Sequence, residues 1–158
     1  MKIALISDIH ANIIALKEVL KDIKTKNVDR VYCLGDLVGY APFPNEVIDL
    51  IKELDIPTVQ GNYDKKIAEY VSVSGSDYKN LKNLDKGVSA FLWSQENTTN
   101  ENKNWLKELP EKIEFEVGDK KVLLVHGSPR RNNEYLYEDS EELEEIADII
   151  DADVMACA

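Results

Sequence analysis

An α/β fold built on a largely parallel sheet is the architecture the sequence predicts, and two observations carry that expectation. From Lys2 to Val59, short apolar runs alternate with amphipathic stretches in the order β-α-β-α-β, a pattern that lays helices across parallel strands. Each of these apolar runs, and a later one, ends in a cluster of polar residues: SDIHAN, GDLVGY, GNYD and HGSP.

The first strand is Lys2 to Ser7 (KIALIS), apolar enough to be buried on both faces. Residues 12–26 form a helix, with Ile13, Leu16, Val19, Leu20 and Ile23 at helical spacing and charges between them. Arg30 to Leu34 is the second strand. Residues 45–54 form a second helix, for which Asn45 after Pro44 is the expected N-cap. Ile56 to Val59 is the third strand. Residues 79–94 look helical, and the polar stretch SQENTTNENKN includes a loop. Asn100 is the expected cap of a short helix carrying Trp105, Leu106 and Leu109, which Pro110 stops. Lys112 to Val117 and Lys121 to Val125 flank Gly118-Asp119 and predict a hairpin. Residues 139–150 form an acidic helix opening at Ser140, its charge run a solvated face, and Asp153 to Cys157 is a last strand.

No internal repeat or linker divides the 158 residues, so one domain over 1–158 is expected. The net charge of −11 and pI near 4.6 repel nucleic-acid backbones, which argues against binding a nucleic-acid polymer. A phosphorylated small molecule remains compatible with that charge if cations lie between it and the protein. Cys33 and Cys157 form no C-x-x-C pair, and Cys33 reads as a small buried hydrophobe. The apolar run after Met1-Lys2 is too short for a signal-peptide core or a membrane span, so a soluble, cytoplasmic protein is expected, with no membrane partner.

The polar clusters carry the functional argument. The carboxyl ends of parallel strands share one edge, where open α/β folds bind ligands. Asp8, His10, Asp36, Asn62 and His126 therefore converge if the strands are parallel, although each alone has an ordinary reading as a turn former or a hydrogen-bonded histidine. The chain has only these two histidines, and both end predicted strands. Oxygen donors with imidazole suit Mn²⁺, Fe or Zn²⁺, and a carboxylate can bridge two ions about 3.5–4 Å apart.

In that order, SDIHAN, GDLVGYAPFPNEVI, GNYD and LLVHGSP resemble the calcineurin-like metallophosphoesterase superfamily, nearest its small bacterial and archaeal phosphodiesterase branch; SAFLWSQENTTNENKNWLKELP adds to the likeness. The resemblance implies an αββα sandwich that hydrolyses a small phosphorylated or nucleotide-like substrate, with two divalent ions as cofactors: Mn, Fe, Zn or Ni, Mn being expected for activity. It further implies that Asp8 and His10 hold one metal, that Asp36 bridges both, and that Asn62 and His126 hold the second. A metal-bound hydroxide would attack phosphorus with no protein nucleophile. Asp64 would support the site or form its turn, and loops such as YAPFPN and RRNNEYLY would set specificity. Arg130 and Arg131 are expected to be a solvated loop pair.

Three departures from the family pattern bear on function. Ala11 stands where the family usually has Gly after His. Tyr63 stands where the family has a His credited with protonating the leaving group; a phenol of ordinary pKa about 10 is a poorer acid, so Tyr63 is a catalytic candidate with reduced power. The family's final Gly-His-Thr-His motif follows a strand like DADVMACA, and the chain stops at its position. The expectation is an incomplete C-terminal part of the second sheet, with weaker metal binding and uncovered apolar surface favouring a homo-oligomer. These departures keep two alternatives open: a non-catalytic module that binds metal or phosphate on the same scaffold, and an acidic α/β domain without metal.

Overall fold

Strand β1 (Ile3–Ile6) pairs in parallel with β2 (Arg30–Cys33), and helix α1 (Ile13–Lys24) connects them. The computed structural model of the chain describes residues 1–69 and 81–158. Helices α2 (Pro44–Glu53), α3 (Asn62–Glu69), α4 (Leu81–Asn97) and α5 (Asn100–Glu108) follow. A second sheet has the order β3-β4-β5, from β3 (Lys112–Val117), β4 (Lys120–Val125) and β5 (Val154–Ala156), with helix α6 (Glu142–Ile149) before its last strand. β3 and β4 are antiparallel around Gly118, whose φ of 66° is the left-handed value a two-residue hairpin turn needs. β5 runs parallel to β4.

Alternation along the strands explains the layers. Ile6 and Cys33 point to one face of the first sheet and join Leu16, Val47, Ile48, Ile51, Ile67, Phe91 and Leu106 from five helices. Tyr32 and Leu34 point to the other face and meet Leu124, Ile113, Phe115 and Val122 of the second sheet. The Tyr32 and Phe115 rings stack there with centroids 4.9 Å apart. Both faces are covered at the carboxyl end of β2, whereas β1 is covered only in part, with Ile6 buried and Leu5 exposed. Each fully buried Leu, Ile or Phe contributes about 1.5–3 kcal/mol. The outer face of the second sheet, at Leu123 and Val125, shares a cavity with Ile149 at the end of α6, which completes a helix–sheet–sheet–helix order.

The structure corrects several local expectations. The third predicted strand is reduced to a parallel bridge between Thr58 and Cys33, because Pro57 has no N–H to give a ladder. Asn45 is not a cap: α2 begins at Pro44 after Phe43, and the Asn45 side chain accepts from the Thr99 N–H at 3.0 Å instead. Thr99, not Asn100, caps α5 by accepting from the Asn102 N–H. Ser140 lies before α6 and accepts from the Tyr137 N–H. The loop expected within the polar stretch is present but short, with only Thr98 and Thr99 between α4 and α5. The predicted helix from residue 79 is present from Leu81; residues 79 and 80 lie outside the described residues.

Candidate metal centre

The loop after β1 and the loop after β2 are laced together by backbone hydrogen bonds. Asp8 N–H donates to Gly35 O at 3.1 Å, His10 N–H to Asp36 O at 2.9 Å, and Ala11 N–H to Leu37 O at 2.7 Å. Asp8, His10, Ala11 and Asp36 all take positive φ, between 46° and 60°. Left-handed backbone at non-glycine residues costs about 1–3 kcal/mol each and clusters at functional sites. Ala11 shows the cost most plainly, since it has no polar side chain to favour that conformation and is fully buried.

These loops aim three side chains at one point: ligand atoms of Asp8, His10 and Asp36 lie within 4.8 Å of one another. His10 Nδ1 is 3.0 Å from Val38 O, and a carbonyl can only accept, so Nδ1 carries the proton. His10 Nε2 then faces Asp8 Oδ1 at 3.6 Å and Asp36 Oδ2 at 3.7 Å. The other histidine repeats the arrangement. His126, at the end of β4, holds Leu34 O with Nδ1 at 2.8 Å. Its Nε2 faces Asn62 Oδ1 at 3.1 Å and Asp36 Oδ1 at 3.5 Å. Asp36 thus presents one carboxylate oxygen to each imidazole.

Both Nε2 atoms look at oxygens that accept hydrogen bonds, an arrangement satisfied by a proton or by a cation. Burial lowers the affinity of His10 for a proton, yet Asp8 and Asp36 outweigh it and raise its pKa. The hydrogen bond with His10 holds the Asp8 carboxyl below its ordinary range. Burial, with Asp64 nearby, pushes Asp36 up to about 7. The field that favours a proton between these groups favours a divalent ion there more strongly. The donor set of carboxylate, amide and imidazole fits such an ion. Side-chain exposure falls from 50% at Asp8 to 21% at His10 and 4% at Asp36, so the cluster opens towards solvent on the Asp8 side.

A second carboxylate sets the position of the first. Asp64, wholly buried, accepts from the N–H groups of Asp36 and Gly61 at 2.9 Å, Leu37 at 2.9 Å and Val38 at 3.3 Å. Asp36 Oδ1 in return accepts from the Tyr63 N–H in the first turn of α3 at 2.8 Å. Gly61 allows this clasp, since a Cβ there would collide with Asp36 N and Oδ1.

Sequence comparison identifies the family of the chain. The family description "calcineurin-like phosphoesterase superfamily domain" matches residues 1–155. The chain belongs to this superfamily. It is 41% identical over 139 residues to the uncharacterized protein MJ0912 of Methanocaldococcus jannaschii, a match covering 87% of this chain and 54% of that protein. It therefore spans about half the length of that relative. A metallophosphoesterase from Sphaerobacter thermophilus is similar in structure, with TM-score 0.75 and 32% identity over 99% of this chain and 59% of that one. A candidate diadenosine tetraphosphatase aligns with TM-score 0.57 and 26% identity over 87% of this chain and 55% of its own.

All five predicted ligand residues of this metallophosphoesterase-like chain meet at one edge. Tyr63 is beside them but engaged elsewhere: its hydroxyl is 2.7 Å from that of Tyr40, and both rings meet His10 edge-on, at 5.2 and 4.7 Å. Tyr40 is not singled out by the sequence, although it opens the YAPFPN segment expected to set specificity. Arg130 and Arg131 pair with Glu134 at 2.9 and 3.2 Å. A cavity of about 650 Å³ lies on the outer face of the second sheet and contains none of the five. Its charges are paired, Lys65 with Glu111 at 3.1 Å and Arg130 with Glu145 at 2.8 Å, so it offers no comparable chemistry. Among the described residues, no helix is long and apolar enough to cross a membrane.

Proposed function

We propose that the protein is a divalent-metal-dependent phosphoesterase, acting on diesters in preference to monoesters, with a small phosphorylated or nucleotide-like substrate. The observation that carries this reading is Asp36 offering one oxygen towards each histidine, which suits a carboxylate shared by two ions. Asp8, His10 and Asp36 would hold one, and Asp36, Asn62 and His126 the other, with Mn, Fe, Zn or Ni as candidates and Mn for activity. Two such ions supply charge stabilisation for a phosphoryl group and lower the pKa of bound water.

The chain's own residues do the rest. The Nδ1 bonds to Val38 O and Leu34 O hold both rings with Nε2 inward. The Asp64 clasp keeps the Asp36 carboxylate between them. Tyr63, paired with Tyr40, contributes a hydrogen-bonding phenol in place of an imidazole and is a weak proton donor at neutral pH. Esters with good leaving groups are therefore the expected substrates of highest turnover. The neighbour named for diadenosine tetraphosphate supports a nucleotide-like substrate, and the chain's negative charge favours a small one, reached through cations. Adding Mn²⁺ to the metal-free protein should start hydrolysis of bis(4-nitrophenyl) phosphate. No hydrolysis with Mn²⁺, Ni²⁺ or Zn²⁺ would contradict an enzymatic role. The engagement of Tyr63 with Tyr40 favours a second reading, a metal- or phosphate-binding module without turnover, which predicts bound metal and no hydrolysis.

A further inference from the structure

Tyr135 and Tyr137 lie between the arginine pair and α6, in a segment without regular structure, and the two residues are 72% and 53% exposed. Residues two apart along extended chain project to the same side. Here the two rings are nearly parallel, at 9°, with centroids 6.3 Å apart. A large apolar ring held at the surface forgoes burial, and tyrosine commonly occupies such places where it makes contact with something else.

The segment bearing these rings is anchored. Glu134, its side chain only 10% exposed, receives the Ser128 hydroxyl and the Arg130 guanidinium at 2.9 Å. The Arg130 and Arg131 N–H groups donate to Ser128 Oγ at 3.0 and 3.1 Å. The pair of arginines thus braces the residue that immediately precedes Tyr135. Tyr135 lines one cleft together with Asn62 and His126, two of the five residues of the candidate metal centre.

We propose that Tyr135, backed by Tyr137, is a stacking platform for the planar group, a nucleobase or aryl ring, of a phosphoester held at the Asp36 centre. This rests on the phosphoesterase reading and adds its specificity. A phosphorus beside Asn62 and His126 places the ester's organic part against Tyr135, where an uncharged ring recognises a π face in a protein of strongly negative charge. A tyrosine has few rotatable bonds, so ordering it on a ligand costs little.

The test compares two probes that share a phosphate and a sugar but differ in the base. Calorimetry with the Mn²⁺-loaded protein would measure binding of adenosine 5′-monophosphate and of ribose 5-phosphate. The adenosine compound should bind about tenfold more tightly. Tyr135→Leu should remove that advantage and leave ribose 5-phosphate unchanged, while Tyr135→Phe should keep it. Equal binding of the two probes by the unaltered protein, or a Tyr135→Leu loss shared by both, overturns the platform alone. If neither probe binds, the phosphoesterase reading falls with it.

Discussion

The Asp64 carboxylate accepts the backbone N–H of Asp36 at 2.9 Å, so the acid facing both histidines is positioned by another acid at the start of α3. Burial pushes the Asp64 carboxyl up, and its N–H donors on Gly61, Leu37 and Val38 oppose that rise. Asp64→Asn replaces one accepting oxygen by an NH₂ group that cannot accept. We expect a loss of about 3 kcal/mol in urea unfolding, from hydrogen bonds to a charged acceptor and the donors left behind. Asp36→Asn should cost much less stability, because it removes a buried charge, but should lower hydrolysis more than about a hundredfold, beyond the losses typical of outer-shell partners. Equal, mild effects of the two substitutions on hydrolysis would contradict these roles.

Gly61→Ala tests the clasp from the backbone side. The added methyl meets Asp36 N and Oδ1, atoms that cannot swing away as the end of a long side chain would. The substitution should destabilise the fold by about 2–3 kcal/mol, at the upper end for overpacking, and weaken Mn²⁺ binding together with stability. Unchanged metal affinity in a folded Gly61→Ala protein would show that Asp36 does not depend on this contact.

Tyr63 separates leaving groups. Its hydroxyl is tied to Tyr40, and a phenol donates a proton poorly at neutral pH. Tyr63→His should speed hydrolysis of a dialkyl phosphodiester, whose leaving group is an alkoxide, by about a hundredfold relative to bis(4-nitrophenyl) phosphate, as added general-acid assistance would. The same factor for both esters would remove Tyr63 from proton transfer. Tyr63→Phe should cost about 1 kcal/mol of stability for the lost hydroxyl pair.

What the sequence made legible follows from local rules. Parallel pairing of β1 with β2 could be inferred from apolar runs separated by a helix, and parallel pairing puts Asp8, His10 and Asp36 on one edge. The hairpin at Gly118 announces itself in the same way. The failures come from partners far away in sequence. Asn45 has the composition of a cap, but its side chain is claimed by Thr99 and Asn102 across the helix layer. Pro57 removes the donor that a third strand required. The Asp36–Asp64 clasp and the Tyr40–Tyr63 pair join residues more than twenty positions apart, and no periodicity or spacing announces them.

The central claim is that two ions share Asp36, and counting bound metal tests it most directly. Calorimetric titration of the metal-free protein with Mn²⁺ should give two ions per chain. His10→Ala and His126→Ala should each leave one, and Asp36→Asn should weaken both sites together. A protein that binds no Mn²⁺, or one whose Asp36→Asn form binds two ions as tightly as the unaltered chain, would contradict the account.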